Sequence, residues 1–231
     1  MGGAGPFASP RLTESAIFHD VGWFIEAMSV RVFQAVVVGV STGGVHALQK
    51  LLGGLPAAFP LPILIVQHIG ADADGGLAKL LDERCPLRVK EADEQDQILP
   101  GTAYLAPPNY HLLVEREGFL SLSADPYVSF ARPSVDVLFE SAAAVFGPSL
   151  IGVVLTGANF DGSRGLKTIK NKGGVAIVQD PADAEAPQMP QAAIAATGVD
   201  YVVALDGIAT LLQKLAARRN TIPHDEKGRD D

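Results

Sequence analysis

The stretch VFQAVVVGVSTGG, Val32 to Gly44, decides the fold. Its first nine residues are a nearly unbroken apolar run rich in β-branched side chains. A strand without polar alternation is one buried on both faces, as in a parallel sheet covered by helices. Ser41-Thr42-Gly43-Gly44 then breaks the run, and VHALQKLLGGL carries apolar residues at helical spacing. Strand, tight turn and helix in that order form the opening unit of an α/β fold.

The same rhythm recurs outward from this unit. LPILIVQH (Leu61–His68) predicts a second buried strand, and the residues near Ala73–Glu83 a helix. Across residues 87–123 the short segments RVKEA, TAYLAP, HLLVER and FLSLSA are separated by Pro-Gly, Pro-Pro-Asn and Glu-Gly, which predicts a small antiparallel excursion. Beyond it, PSVDVLFESAAAVFG reads as a helix capped by Ser134, SLIGVVLT as a strand, and DGSRGLKTIKNKG as a helix stopped by Gly173. GVAIVQD, PQMPQAAIAATG, VDYVVAL and DGIATLLQKLAARR continue as strand, short helix, strand and last helix. The expected architecture is therefore α/β: three layers, α/β/α, around a mostly parallel doubly wound sheet with a small antiparallel hairpin addition. One domain is expected over residues 31–217. Residues 1–30 read as an N-terminal extension, disordered or a short helix around Ser15–Met28, and residues 218–231 as a charged, solvated tail.

Composition narrows the functional classes. Apolar residues are 48% of the 231 and charged ones 19%, as in a globular chain, and no apolar run reaches bilayer length. The formal charge of −8 argues against a nucleic-acid partner, since phosphate binding relies on clustered Lys and Arg. Membrane insertion is not expected. The start lacks a secretory pattern and Cys85 is the single cysteine, which together point to the cytoplasm.

In open α/β sheets ligands sit outside the carboxyl ends of the strands, so the residues that follow each strand carry the chemistry. After the first strand, GVSTGG admits three readings. A dinucleotide fingerprint would need Gly where Ser41 stands and an acidic residue at the next strand's end, where Gln67-His68 is found. A nucleophile elbow fits G-x-S-x-G, but that fold places it after several strands and orders its triad Ser, Asp or Glu, His. A helix cap is the third. His68 closes the neighbouring strand. Asp161, after SLIGVVLT, serves equally well as a helix N-cap or as the acid of a triad.

Taken together, Ser41, His68 and Asp161 supply a nucleophilic triad. A serine hydroxyl needs a base, and an imidazole, with an ordinary pKa of about 6.5, accepts its proton and returns it to the leaving group. Asp161 would fix the ring's tautomer. Backbone N–H groups beside Ser41, or at Gly157 and Ala158, are candidate oxyanion donors. No metal or other cofactor is expected.

Six separated blocks give the chain a family resemblance: GVSTGG, IVQH, ILPGTAYLAPPNYHL, RPSVDVLFESAA, VVLTGANFDGSRGL and QDPADAEAPQMPQAA. From about Ala35 to Leu212 it resembles the catalytic domain of the CheB-type chemotaxis protein-glutamate methylesterases. The resemblance implies a serine esterase that removes methyl esters from glutamates on the cytoplasmic helices of methyl-accepting chemotaxis receptors, releasing methanol, often with deamidation of receptor glutamines. It aligns the family's nucleophile, base and acid with Ser41, His68 and Asp161, and brings the segments holding Arg132 and Met189 toward the site, where substrate contact and loop anchoring or packing both stand as readings; Thr42, Gly157 and Ala158 remain the candidate oxyanion residues. His111 reads as structural, and His46 as facing away from Ser41. The family's turn often reads Gly-Met-Gly-Asn-Asp-Gly where this chain has Gly157-Ala158-Asn159-Phe160-Asp161-Gly162, so Phe160 is expected to alter the cleft wall. Many members also carry a receiver domain, for which residues 1–30 are too short, and gating is then expected either from a separate regulatory protein or not at all. Two alternatives stand beside this reading: an esterase of the same mechanism acting on a non-receptor ester, and a non-catalytic module that docks on receptor arrays.

Overall fold

In a computed structural model, residues 32–69 and 76–217 are described. The expected extension over 1–30 and the tail over 218–231 lie outside them. β1 (Ala35–Val40) is fully buried, and its side chains divide by parity between two cores. Val36, Val38 and Val40 face one, Ala35 and Val37 the other. β2 (Ile63–Gln67) repeats this, with Ile63 and Ile65 on the first side and Leu64 and Val66 on the second. A continuous apolar run is therefore required here, because both faces of each strand are core.

The remaining elements follow in chain order: α1 (Gly44–Gly53), α2 (Gly76–Arg84), β3 (Arg88–Glu91), β4 (Thr102–Leu105), β5 (His111–Val114), β6 (Leu120–Ser123), α3 (Val135–Phe146), β7 (Leu150–Val154), α4 (Ser163–Asn171), β8 (Val175–Gln179), α5 (Gln188–Ala196), β9 (Tyr201–Val203) and α6 (Leu205–Ala217). Seven strands form one parallel sheet in the order β3-β4-β2-β1-β7-β8-β9. Helices α1, α2 and α6 cover one face, and α3, α4, α5 and the β5–β6 hairpin the other.

One expectation is corrected in extent. The antiparallel strands are β5 and β6, with an isolated antiparallel bridge between Gln97 and Phe119, whereas β3 and β4 run parallel and extend the main sheet. Only residues 92–101 join β3 to β4. Parallel neighbours usually need a longer, helical crossover, and turn-rich short segments read locally as a meander.

Strand order reverses between β1 and β7, with β2 on the far side of β1. The loops after these three strands open at one edge of the sheet, where an open α/β sheet forms its crevice.

Candidate active site

β1 and β2 pair in a register that places Val40 opposite Gln67, so Ser41 and His68 leave the sheet side by side. The Ser41 N–H donates to the Thr156 carbonyl at 2.9 Å and the His68 N–H to the Val40 carbonyl at 3.0 Å, extending the ladder one residue past each strand. Beneath them Gln67 is buried, and its Nε2 donates to the carbonyls of Ser41 (3.0 Å) and His68 (2.9 Å). One amide thus ties the two strand ends together. Gln67 was missed as a site residue. The available signal was a polar residue closing an otherwise apolar buried strand.

Asp161 lies in the turn between β7 and α4, 1% exposed. Its Oδ2 accepts from His68 Nε2 at 2.8 Å and from the Val135 N–H at 2.7 Å, and its Oδ1 accepts from the Ser134 hydroxyl at 2.9 Å and the Asp136 N–H at 3.0 Å. The carboxylate therefore caps α3 while holding the histidine. Its own helix, α4, starts instead at Gly162, which has a φ of 95° and makes no side-chain cap bond. Only glycine readily adopts that backbone, and a Cβ there would meet Val135 at 2.6 Å. Burial pushes the Asp161 carboxyl up. The His68 hydrogen bond and the N–H groups of Asp136 and Val135 outweigh that, and it lies below its ordinary value. The N-terminus of α3 favours the anion in the same way.

Ser134 occupies the cap position of α3 but makes no side-chain cap bond, because its hydroxyl is turned to Asp161. His111 bears out its structural reading. It is buried, its Nδ1 accepts from the Ser134 N–H at 3.2 Å, and its Nε2 donates to the Pro126 carbonyl at 3.1 Å.

Asn159 was also missed. Its Oδ1 accepts from the Asp161 N–H at 3.1 Å, which turns its Nδ2 to His68 Nδ1 at 3.1 Å. The ring is consequently the tautomer with hydrogen on Nε2, and Nδ1 is the nitrogen with a lone pair to give. Ser41, His68, Asn159, Tyr127, Phe130 and Arg132 line a cleft of about 250 Å³. Among the described residues no hydrogen bond joins the Ser41 hydroxyl to His68.

The remaining expected residues are sorted by what their groups already do. The Gly157 N–H is spent on the Ala186 carbonyl at 2.9 Å, which removes it as an oxyanion donor. Glycine is still required there, since a Cβ would strike Met189 Sδ and stand 2.9 Å from Ser41 Cβ. Among the described residues the N–H groups of Thr42, which follows Ser41 in the chain, and Ala158, which follows the Gly157 packed against Ser41, have no acceptor. Met189 is 1% exposed and packs behind Gly157 instead of lining the cleft. Arg132 does line it. Its Nη1 donates to the carbonyls of Ala124 (2.7 Å) and Asp125 (3.0 Å), its guanidinium stands 4.7 Å from the Tyr127 ring centroid, and its Nε is buried with no partner among the described residues. Phe160 is exposed, and the aromatic residues on the cleft wall are Tyr127 and Phe130. His46 does not face away as expected. It lines a second, open pocket of about 400 Å³ that also includes Ser41, with Gln49 and Glu185. No cluster of potential metal ligands is present among the described residues, nor a helix long and apolar enough to cross a membrane.

Comparison with known proteins agrees with the geometry. The family described as CheB methylesterase matches residues 36–212. A putative protein-glutamate methylesterase/protein-glutamine glutaminase of Leptospira interrogans is 52% identical over 183 residues, 79% of this chain and 95% of that protein. Protein-glutamate methylesterase FrzG of Myxococcus xanthus is 42% identical over 182 residues, 79% of this chain and 54% of that one. The crystal structure of the Thermotoga maritima CheB methylesterase catalytic domain matches with a TM-score of 0.77 at 34% identity, covering 79% of this chain and 98% of that one. With a family match across most of its length and a relative more than half identical, the chain belongs to the CheB methylesterase family.

Proposed function

We propose that this chain is a serine hydrolase that removes methyl esters from glutamate side chains of chemotaxis receptor proteins, with Ser41 as nucleophile, His68 as base and Asp161 as the acid that orients it. The observation that carries the reading is the bond from His68 Nε2 to the buried Asp161 carboxylate, placed at the strand end next to Ser41. A carboxylate held by four donors favours its own charged form and fixes the imidazole in the tautomer whose Nδ1 carries the lone pair and serves as base. Relatives named protein-glutamate methylesterase supply the substrate class.

In this reading the Ser41 hydroxyl attacks the side-chain ester carbonyl as its proton passes to His68 Nδ1. The oxyanion is bound by the N–H groups of Thr42 and Ala158, which have no acceptor among the described residues. Collapse expels methoxide, which takes the proton from His68 and leaves as methanol. Water activated by the same nitrogen then hydrolyses the acyl-enzyme, leaving glutamate and free Ser41. A glutamine amide follows the same course with ammonia as the leaving group, as the second half of the Leptospira relative's name describes. The substrate claim is tested by comparing hydrolysis of a methylated receptor fragment with that of simple aryl esters. A higher kcat/KM for the receptor fragment is expected; preference for the aryl ester would point to a different ester as substrate.

A further inference from the structure

We propose that Asn159 occupies the base nitrogen of His68 in the resting site and must release it before Ser41 can be activated; the inference rests on the triad reading above. An imidazole nitrogen has one in-plane lone pair, so Nδ1 accepts one good hydrogen bond at a time. Here that bond comes from Asn159 Nδ2 at 3.1 Å. The amide cannot be turned round without facing its NH2 to the Asp161 N–H, which Oδ1 now accepts at 3.1 Å. The other ring nitrogen is committed to Asp161 at 2.8 Å. Both ring nitrogens are therefore filled while the Ser41 hydroxyl stands in the same cleft with no bond to the ring among the described residues.

Proton transfer from Ser41 requires the lone pair that Asn159 holds, so the amide and the hydroxyl compete for one site. Asn159 lies on the wall of the cleft, and a substrate carbonyl entering there offers its Nδ2 a replacement acceptor. The release is then built into substrate binding. A small reagent whose one strong acceptor oxygen is taken by the oxyanion donors meets the closed form. Asn159 is thus a positioning residue that acts through His68, and losing its donor speeds attack on small reagents more than on a peptide ester.

The test uses the whole chain and a small alkyl fluorophosphonate, read by mass spectrometry at Ser41. In this reaction the Ser41 Oγ–P bond forms as P–F breaks, fluoride departs, and the serine proton passes to His68 Nδ1. In Asn159→Ser the hydroxyl still reaches the Asp161 N–H, as Ser does in such turns, but falls short of the ring. Labelling is expected to accelerate roughly two- to tenfold, the equilibrium worth of one hydrogen bond, with a smaller gain on the methylated receptor fragment. Asn159→Asp keeps the acceptor for Asp161 and replaces the donor with an anion that favours a proton on Nδ1, so it is expected to label more slowly than the parent. Equal or slower labelling of Asn159→Ser, or faster labelling of Asn159→Asp, overturns the competition. Failure of the parent chain to label at Ser41 overturns the hydrolase reading and this inference with it; labelling of the parent without acceleration in the variant overturns this inference alone.

Discussion

Asp161 and Asp136 cap each other's helices. Asp161, at the entry to α4, accepts the N–H groups of Val135 and Asp136 that open α3. Asp136, in the first turn of α3, accepts the N–H groups of Gly162 (3.0 Å) and Gly165 (2.7 Å) that open α4. Each helix start is thus satisfied by a carboxylate from the other, and the two helices are clasped at the end where His68 waits. The two acids are driven apart electrostatically. Burial, together with repulsion from Asp161, raises the Asp136 carboxyl, while Asp161 with its four donors is held low. The proposed catalytic carboxylate is the one whose charged form the surroundings favour.

Asp161→Asn tests the double role. An amide has one acceptor oxygen for four donors and turns its own NH2 toward some of them. Stability is expected to fall by about 3 kcal/mol in urea titration, from unsatisfied buried groups. Turnover is expected to fall on the order of 10⁴, as in a triad whose acid no longer sets the tautomer. A loss of only a few-fold in turnover, at the same stability cost, would leave Asp161 as a helix cap alone.

Acid titration tests the direction of the Asp161 shift. A carboxyl with a depressed folded pKa contributes stability that is present above its unfolded value, about 3.9, and is lost as pH falls through the folded one. Asp136, with a raised value, works in the opposite sense, costing stability as pH rises past the same point. The melting temperatures of the parent and Asp161→Asn should therefore differ widely at about pH 5 and converge toward about pH 2. A gap that stays constant across that range would contradict the electrostatic account.

Gly157→Ala probes the turn opposite the nucleophile. The new methyl displaces Met189, which is flexible, and crowds Ser41 Cβ at 2.9 Å, which is fixed to its strand end. Turnover is expected to fall on the order of 100-fold, as small misplacements of reacting groups do, with a melting temperature lowered by only a few degrees. Wild-type turnover in this variant would show that Ser41 tolerates displacement and is not held for attack.

Much of this was legible in the chain because strand chemistry is local. Two-sided burial writes itself as Val36-Val37-Val38 and Ile63-Leu64-Ile65-Val66, and the sheet rule then directs attention to Ser41, His68 and the turn holding Asp161. What was not legible depends on long-range geometry. Whether β3 and β4 pair parallel or antiparallel is settled by the sheet they join, not by their own alternation. Gly157 reads locally as an oxyanion donor, and only the fold commits its N–H to the Ala186 carbonyl. Asn159 lies two residues before Asp161, yet only the folded turn shows that its amide reaches His68. Ser134 reads locally as a helix cap, and it is the arrival of Asp161 from 27 residues away that claims its hydroxyl instead.

The most direct measurement is the methylation state of a methylated receptor fragment, followed by mass spectrometry with the parent chain and with Ser41→Ala. Loss of the ester methyl with the parent, and its full retention with a folded Ser41→Ala, is the expected pair of results. Equal demethylation by both proteins would contradict the assignment of Ser41 as the nucleophile.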